Sequence, residues 1–160
     1  MLIELPVVWI IILNVVVWFV IQLGMAWMFT RMPVKWFNPG PERAWEKRGR
    51  FYERVFAVKQ WKDRLPDAAR WFTGGFAKGT MNNRELEYLA RFISETRRGE
   101  LCHWLAIGCA PAFLIWNPWW SELIIIAYAF AANLPCIIVQ RYNRLRLGRL
   151  IAARTAHHSN

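Results

Sequence analysis

The 160 residues suit one domain, but hydrophobic residues make up 56% and aromatics 16%, with 11 Trp, against about 45–50% apolar in soluble domains. A formal net charge of +10 would point to nucleic acid in a soluble chain. Here the basic residues track the edges of apolar blocks, which sets nucleic acid aside in favour of a membrane surface. Cys102, Cys109 and Cys136 all lie in apolar stretches, imply no disulfide framework and show no metal-ligand spacing.

The first apolar run covers residues 5–29, 25 residues without a formal charge. A helix rises about 1.5 Å per residue, so about 20 residues cross a hydrocarbon core. The run follows Glu4, lacks a basic start and has no small-residue cleavage site before Trp27, so it reads as a retained membrane helix and not a signal peptide. Asn14 and Gln22 lie near one face, placed to hydrogen-bond to neighbouring helices. Pro33 ends the helix, and Asn38-Pro39-Gly40-Pro41 makes a turn.

Beyond that turn, Trp45, Tyr52, Val55 and Phe56 recur at helical spacing among Lys47, Arg50, Arg54 and Lys59. A basic helix with an aromatic face lies in a membrane surface or packs on other cytoplasmic helices. Glu46 and Arg50 stand as an i,i+4 pair, and Gly49 as a kink. The stretch TGGFAKGT at 73–80 is a Gly-rich loop, either a plain connection or a phosphate cradle around Lys78. Asn82 and Glu85 form a capping box for an amphipathic helix over 83–98, built on Leu86, Leu89, Ala90 and Ile93. Gly99 is the expected bend into the second apolar run.

That run, 101–118, is interrupted by Pro111 and Asn117-Pro118 and spans if its Trp-rich end sits among headgroups; Trp116, Trp119 and Trp120 make an interfacial belt. The third run, 120–140, contains Asn133 and Pro135. Proline frees the carbonyl four residues before it, so a kink is expected, with Asn133 satisfying a freed group or facing a cavity. Of the 21 Lys and Arg, 16 lie from Arg31 to Arg98 and 5 from Arg141 to Arg154. By the positive-inside rule both basic regions are cytoplasmic, with the N-terminus and the Trp-rich turn outside. The expected fold is an all-α integral membrane protein with about three transmembrane helices (about 5–29, 101–118 and 120–140), a cytoplasmic amphipathic region at 31–99 and a basic tail at 141–160, all in one membrane domain. The tail histidines, His157 and His158, read as solvated.

The charged and apolar segments meet in ETRRGELCHW at 95–104. Glu100 and His103 share a helix face there, a carboxylate and an imidazole suited to proton transfer at a membrane boundary. The bland reading is a polar clasp, with Arg97 or Arg98 pairing with Glu100 and His103 an interfacial anchor. The second and third runs form an antiparallel pair, so Glu100 and His103 should face Gln140 and Arg141. His103 is the only histidine outside the tail, which argues against a multi-histidine metal site. The absence of GxSxG favours direct general-base chemistry over a covalent serine.

Three stretches carry a resemblance: WEKRGRFYERVFAVKQWKDRLPD at 45–67, ETRRGELCHW at 95–104 and YAFAANLPCIIVQRYNRLRL at 128–147. Through them the chain resembles the glycosyl-diaponeurosporenoate acyltransferase family of staphyloxanthin-type carotenoid biosynthesis. The resemblance implies an integral membrane enzyme that moves a fatty acyl chain from acyl-CoA, or acyl-ACP, to a sugar hydroxyl of a glycosylated carotenoid or related glycolipid, without a cofactor or metal. For that chemistry the residues themselves, and not the resemblance, suggest the roles: His103 the base, with Glu100 orienting it or the hydroxyl; Asn133 or Gln140 supporting the oxyanion; Arg141, Arg144 and Lys62 binding donor phosphates. The implied partners are membrane lipid, the acyl donor and the glycosylated acceptor in the plasma (inner) membrane, and the small enclosed volume of three spans suits a homo-oligomer. A non-enzymatic scaffold of a lipid or pigment assembly and a lipid or thioester hydrolase are the alternatives.

Overall fold

The computed structural model describes residues 2–65 and 86–158, and among them every regular element is helical. The Gly-rich loop with Lys78 and the capping box of Asn82 and Glu85 lie outside the described residues. Helix α1, Val7–Arg31, ends where Met32 turns extended (ψ 140°) ahead of Pro33, because proline disfavours a helical residue before it. Only Trp18 and Phe29 of α1 are buried, while Val7, Trp9, Ile11, Phe19, Val20 and Trp27 point outward. A helix apolar on all sides is solvated by lipid. Together with the apolar stretch Trp119–Ala156, α1 is long and apolar enough to cross a membrane. The chain is thus an all-α membrane protein.

The aromatic-basic stretch is not the single helix its spacing predicts. It divides into a 3-10 helix (Ala44–Gly49), α2 (Arg50–Phe56), α3 (Val58–Trp61) and a 3-10 turn (Lys62–Arg64). Three left-handed residues interrupt it: Lys47 at φ +47° within the 3-10 helix, Gly49 at φ +88° before α2 and Ala57 at φ +48° after it. A side chain on Gly49 would fit in ordinary contact with Leu145 at 3.5 Å, so it is the left-handed turn that calls for glycine. The folded-up pieces bury Tyr52 and Val58 against Val139, Tyr142 and Leu145. Glu46 does not pair with Arg50. It turns inward to accept from the Tyr52 hydroxyl at 2.7 Å and the Arg43 backbone N–H at 3.0 Å.

Helix α4, Leu86–Gly108, is continuous through Gly99. The glycine is a point of contact and not a bend: a Cβ there would lie 2.7 Å from Gln140 Nε2. The run 101–118 is not one helix either. It leaves α geometry after Gly108 and continues as a 3-10 helix, Ala110–Ile115, with Pro111 in its first turn, where the missing N–H does no harm. Helix α5, Trp119–His158, runs 40 residues with Pro135 inside it. Asn133 does not answer the carbonyl freed by Pro135, that of Ala131. Its Nδ2 donates to Ala129 O at 2.9 Å.

Helices α4 and α5 are antiparallel along their length, with Leu89 and Phe92 against Leu147 at one end and Phe113 beside Ala129 at the other. Helix α1 inserts Trp18 between Ala110, Phe113 and Ala129. Its two ends are fastened differently. At the corner, Asn14 and Asn117 exchange amide hydrogen bonds of 3.0 and 2.8 Å, and Trp116 Nε1 donates to Asn14 at 2.7 Å. At the other end, Arg98 reaches the Thr30 and Met32 carbonyls (3.5 and 3.4 Å), a cation on the negative end of the helix dipole.

The Gly99–Gln140 contact yields a coupled stability effect. Alanine in a helix is worth about 1 kcal/mol over glycine, but in the native chain the new methyl must displace the buried Gln140 amide. Gly99→Ala is therefore expected to gain about 1 kcal/mol in a Gln140→Ala background and little or nothing in the native one. Thermal unfolding of the four chains in detergent measures the difference.

Candidate active site

The centre of the α4–α5 pair is the Glu100 carboxylate, with 0% of its surface exposed. Arg141 Nε donates to Oε1 at 2.6 Å, while Arg144 Nη1 and Arg97 Nη1 stand 2.7 and 3.2 Å from Oε2. Arg97 comes from the same helix one turn back, and the other two from the facing helix. Arg141 also approaches Glu46 at 3.7 Å, which brings the folded-up cytoplasmic pieces into the cluster. Burial pushes the Glu100 carboxyl up, but the contacts with Arg141 and Arg144 outweigh it and hold the group below the usual carboxylate range. Burial and then the Glu46 carboxylate push the Tyr52 hydroxyl up to about 12, so at neutral pH it remains the donor in its bond to Glu46. Three guanidinium groups around one carboxylate leave an excess of positive charge, half-hidden from solvent.

His103 lies one turn along α4 from Glu100, about 4.5 Å further into the apolar segment. Its Nδ1 is 2.8 Å from Asn133 Oδ1 on α5. That oxygen also accepts from Gln22 Nε2 on α1 at 3.2 Å. The protons follow from the far end of the chain of bonds. Ala129 O can only accept, so Asn133 presents its NH2 there and its oxygen to the ring. His103 must then carry its proton on Nδ1, which puts the basic lone pair of the neutral ring on Nε2. This arrangement holds an imidazole in one tautomer and orientation, the requirement for a general base.

The expected site residues thus divide into separate groups. His103 and Asn133 are joined directly. Glu100, Arg141 and Arg144 form the neighbouring ion cluster, where Glu100 faces guanidinium groups and Asn133 is the side chain that orients the ring. Gln140 packs against Gly99, one residue before Glu100, and is buried with Oε1 lacking a hydrogen-bond partner. Lys62 sits in the short turn after α3, paired with Asp63. Among the described residues no three His, Cys, Asp or Glu side chains converge as a metal site requires. Sequence reasoning missed Glu46 and Tyr52 as members of the cluster, whereas of the two arginines it offered as partners of Glu100, Arg97 makes the contact and Arg98 pairs with Glu95. The signal for Glu46 was its place before Gly49, since a glycine in left-handed conformation turns the preceding segment back on itself.

The family model described as glycosyl-4,4'-diaponeurosporenoate acyltransferase matches residues 33–153. Proteins of that name are similar over much of the chain. One from Staphylococcus haemolyticus (strain JCSC1435) is 38% identical over 104 residues, 65% of this chain and 60% of its own. One from Staphylococcus aureus (strain MRSA252) is 37% identical over 108 residues, 66% of this chain and 64% of its own. Another, from Staphylococcus aureus (strain bovine RF122 / ET3-1), is 40% identical over 111 residues, with the same two shares. The alignments therefore cover somewhat under two thirds of these relatives' length. No solved structure matches.

Removing one partner of a buried ion cluster leaves uncompensated charge, which costs about 3–5 kcal/mol. Glu100→Gln should lose roughly that much stability, with part recovered in Glu100→Gln/Arg141→Met. The pH dependence follows from the lowered carboxyl. The Glu100 contribution is complete above the ordinary value of 4.5 and is lost as pH falls through the lower folded-state value. Unfolding followed by circular dichroism on both sides of pH 4.5 should show acid sensitivity in the native chain that Glu100→Gln diminishes.

Proposed function

This chain belongs to the glycosyl-4,4'-diaponeurosporenoate acyltransferase family, and from that premise we propose that it is a membrane acyltransferase acting on a glycosylated lipid. The acyl group comes from acyl-CoA or acyl-ACP, and the acceptor is a sugar hydroxyl of a glycosylated carotenoid or related glycolipid. The observation that carries the mechanism is the 2.8 Å contact between His103 Nδ1 and Asn133 Oδ1. His103 Nε2 takes the hydroxyl proton as the sugar oxygen attacks the thioester carbonyl. The tetrahedral adduct collapses to the ester, the carbon–sulfur bond breaks, and the thiol leaves with the proton returned from the imidazolium. Asn133 is engaged by Ala129 through its NH2, which leaves Gln140 as the better oxyanion donor. Arg141 and Arg144, with Lys62, attract the donor's phosphates, and Glu100 keeps the two arginines ordered and desolvated between substrates. Both substrates join an apolar tail to a polar reacting end, and His103 stands where apolar helix surface gives way to the arginine cluster.

The topology in this proposal is multi-pass. Leu2 and Ile3 bond through their backbone N–H groups to Ile115 O (2.8 and 3.0 Å), so the start of α1 and the α4–α5 corner share one end of the bundle. Every Lys and Arg lies from Arg31 to Arg98 or from Arg141 to Arg154, which supports putting the opposite end at the cytoplasmic face of the plasma membrane. The α4 end and the 3-10 helix together give about 25 Å of rise, near the hydrocarbon thickness.

The test is an assay of the purified chain in lipid nanodiscs with acyl-CoA or acyl-ACP and a glycolipid acceptor, products read by mass spectrometry. The expected product is acylated glycolipid, with His103→Ala about 10²–10⁴-fold slower. Full activity of a folded His103→Ala chain sinks the mechanism. Release of free fatty acid in place of ester sinks acyl transfer and makes the chain a hydrolase, and no turnover under any donor favours a scaffold.

A further inference from the structure

The family match covers residues 33–153, so α1 lies outside it, and its exposed Val, Ile and Trp side chains give it the look of a plain anchor. One residue contradicts that. Gln22 turns a primary amide away from lipid and donates to Asn133 Oδ1 at 3.2 Å, the same oxygen that takes the His103 Nδ1 proton. An amide in hydrocarbon is costly unless bonded, and Gln22 meets that cost at the side chain that orients the candidate base. The other interior amide of α1, Asn14, meets it at the corner, on Asn117 and Trp116.

We propose that Gln22 is a positioning residue for His103, acting through Asn133, so that α1 completes the catalytic arrangement as well as anchoring the chain. This rests on the reading of His103 as the base. Asn133 is held at three points: its NH2 on Ala129 O, and its oxygen between Gln22 and His103. The first fixes which way the amide faces, and the second fixes where its oxygen lies relative to the ring. The backbone around Asn133 gives less hold than in an ordinary helix, because Pro135 lies two residues on inside α5 and removes one rung of the hydrogen-bond ladder. A donor from α1 replaces that restraint from outside the helix. Changing it should disturb the chemical step and spare substrate binding.

The experiment compares Gln22→Leu, Gln22→Glu and Asn14→Leu in the full chain in nanodiscs, with two readouts: steady-state kinetics, and the side-chain nitrogen resonances of His103 in histidine-labelled protein, assigned by difference from His103→Ala. Gln22→Leu should lower kcat about tenfold, the scale of one interhelical hydrogen bond, with KM within about twofold, and should speed exchange of the Nδ1 proton. Gln22→Glu sets an acceptor against the Asn133 oxygen and should move the ring toward the Nε2–H tautomer. Asn14→Leu should leave the His103 resonances unchanged. Native His103 resonances in both Gln22 variants overturn the inference, as does a parallel loss of kcat and rise of KM. A disturbed ring in a chain whose His103→Ala variant is fully active sustains the positioning role and removes the base mechanism, so the two failures are told apart.

Discussion

A carboxylate with no exposed surface has to be paid for by its neighbours, and Glu100 is where the chain concentrates that payment. Its three guanidinium contacts come from two helices, so neither α4 nor α5 can slide without leaving a buried charge unmet. The register so fixed sets Gln140 against Gly99 and His103 opposite Asn133. The same contact draws in the folded-up segment before α4, because Arg141 approaches Glu46 as well. A polar clasp and a candidate catalytic arrangement are thus consecutive turns of one helix pair.

This bears on how the site divides its work. Ion pairs hold position but make poor bases, since a carboxylate facing three arginines stays ionised and unreactive. The imidazole one turn away is oriented by a neutral amide, which leaves its own charge free to change during a reaction. In the acyl transfer proposed above, the cluster that carries fixed charge is separate from the side chain proposed to move the proton. An anionic donor needs the first and an alcohol acceptor needs the second.

Much of this was legible in the sequence, and the misreadings have physical causes. The apolar run of α1 and the antiparallel pairing of α4 with α5 followed from length and hydropathy, which depend on composition. The i,i+3 spacing put Glu100 and His103 on one face and the antiparallel pairing set Glu100 opposite Arg141, yet neither pattern says how many guanidinium groups gather on the carboxylate. Arg141 and Arg144 came from 41 and 44 positions away in sequence and took the carboxylate. Gly99 read as a bend because glycine is a poor helix former; here the missing side chain makes room for Gln140, a tertiary reason no local pattern contains. The periodicity of the aromatic-basic stretch predicted one helix, and burial of Tyr52 and Val58 overrode it at Gly49 and Ala57. Gln22 was recognised as an interhelical donor, but its acceptor depended on the azimuth at which α1 packs.

Helix α5 has a mechanical consequence of its own. Forty residues of helix measure about 60 Å, about twice a hydrocarbon core, and beyond Pro135 α5 carries Gln140, Arg141 and Arg144 on one continuous stretch. A bilayer that thickens or thins cannot be met by unwinding at the membrane edge, because that edge lies mid-helix. That stretch must tilt or shift, carrying the arginines through the headgroup layer as it does. Lipid composition is thereby linked to the depth of the arginine cluster and, in the proposed reaction, to the depth at which the polar ends of its two substrates would meet.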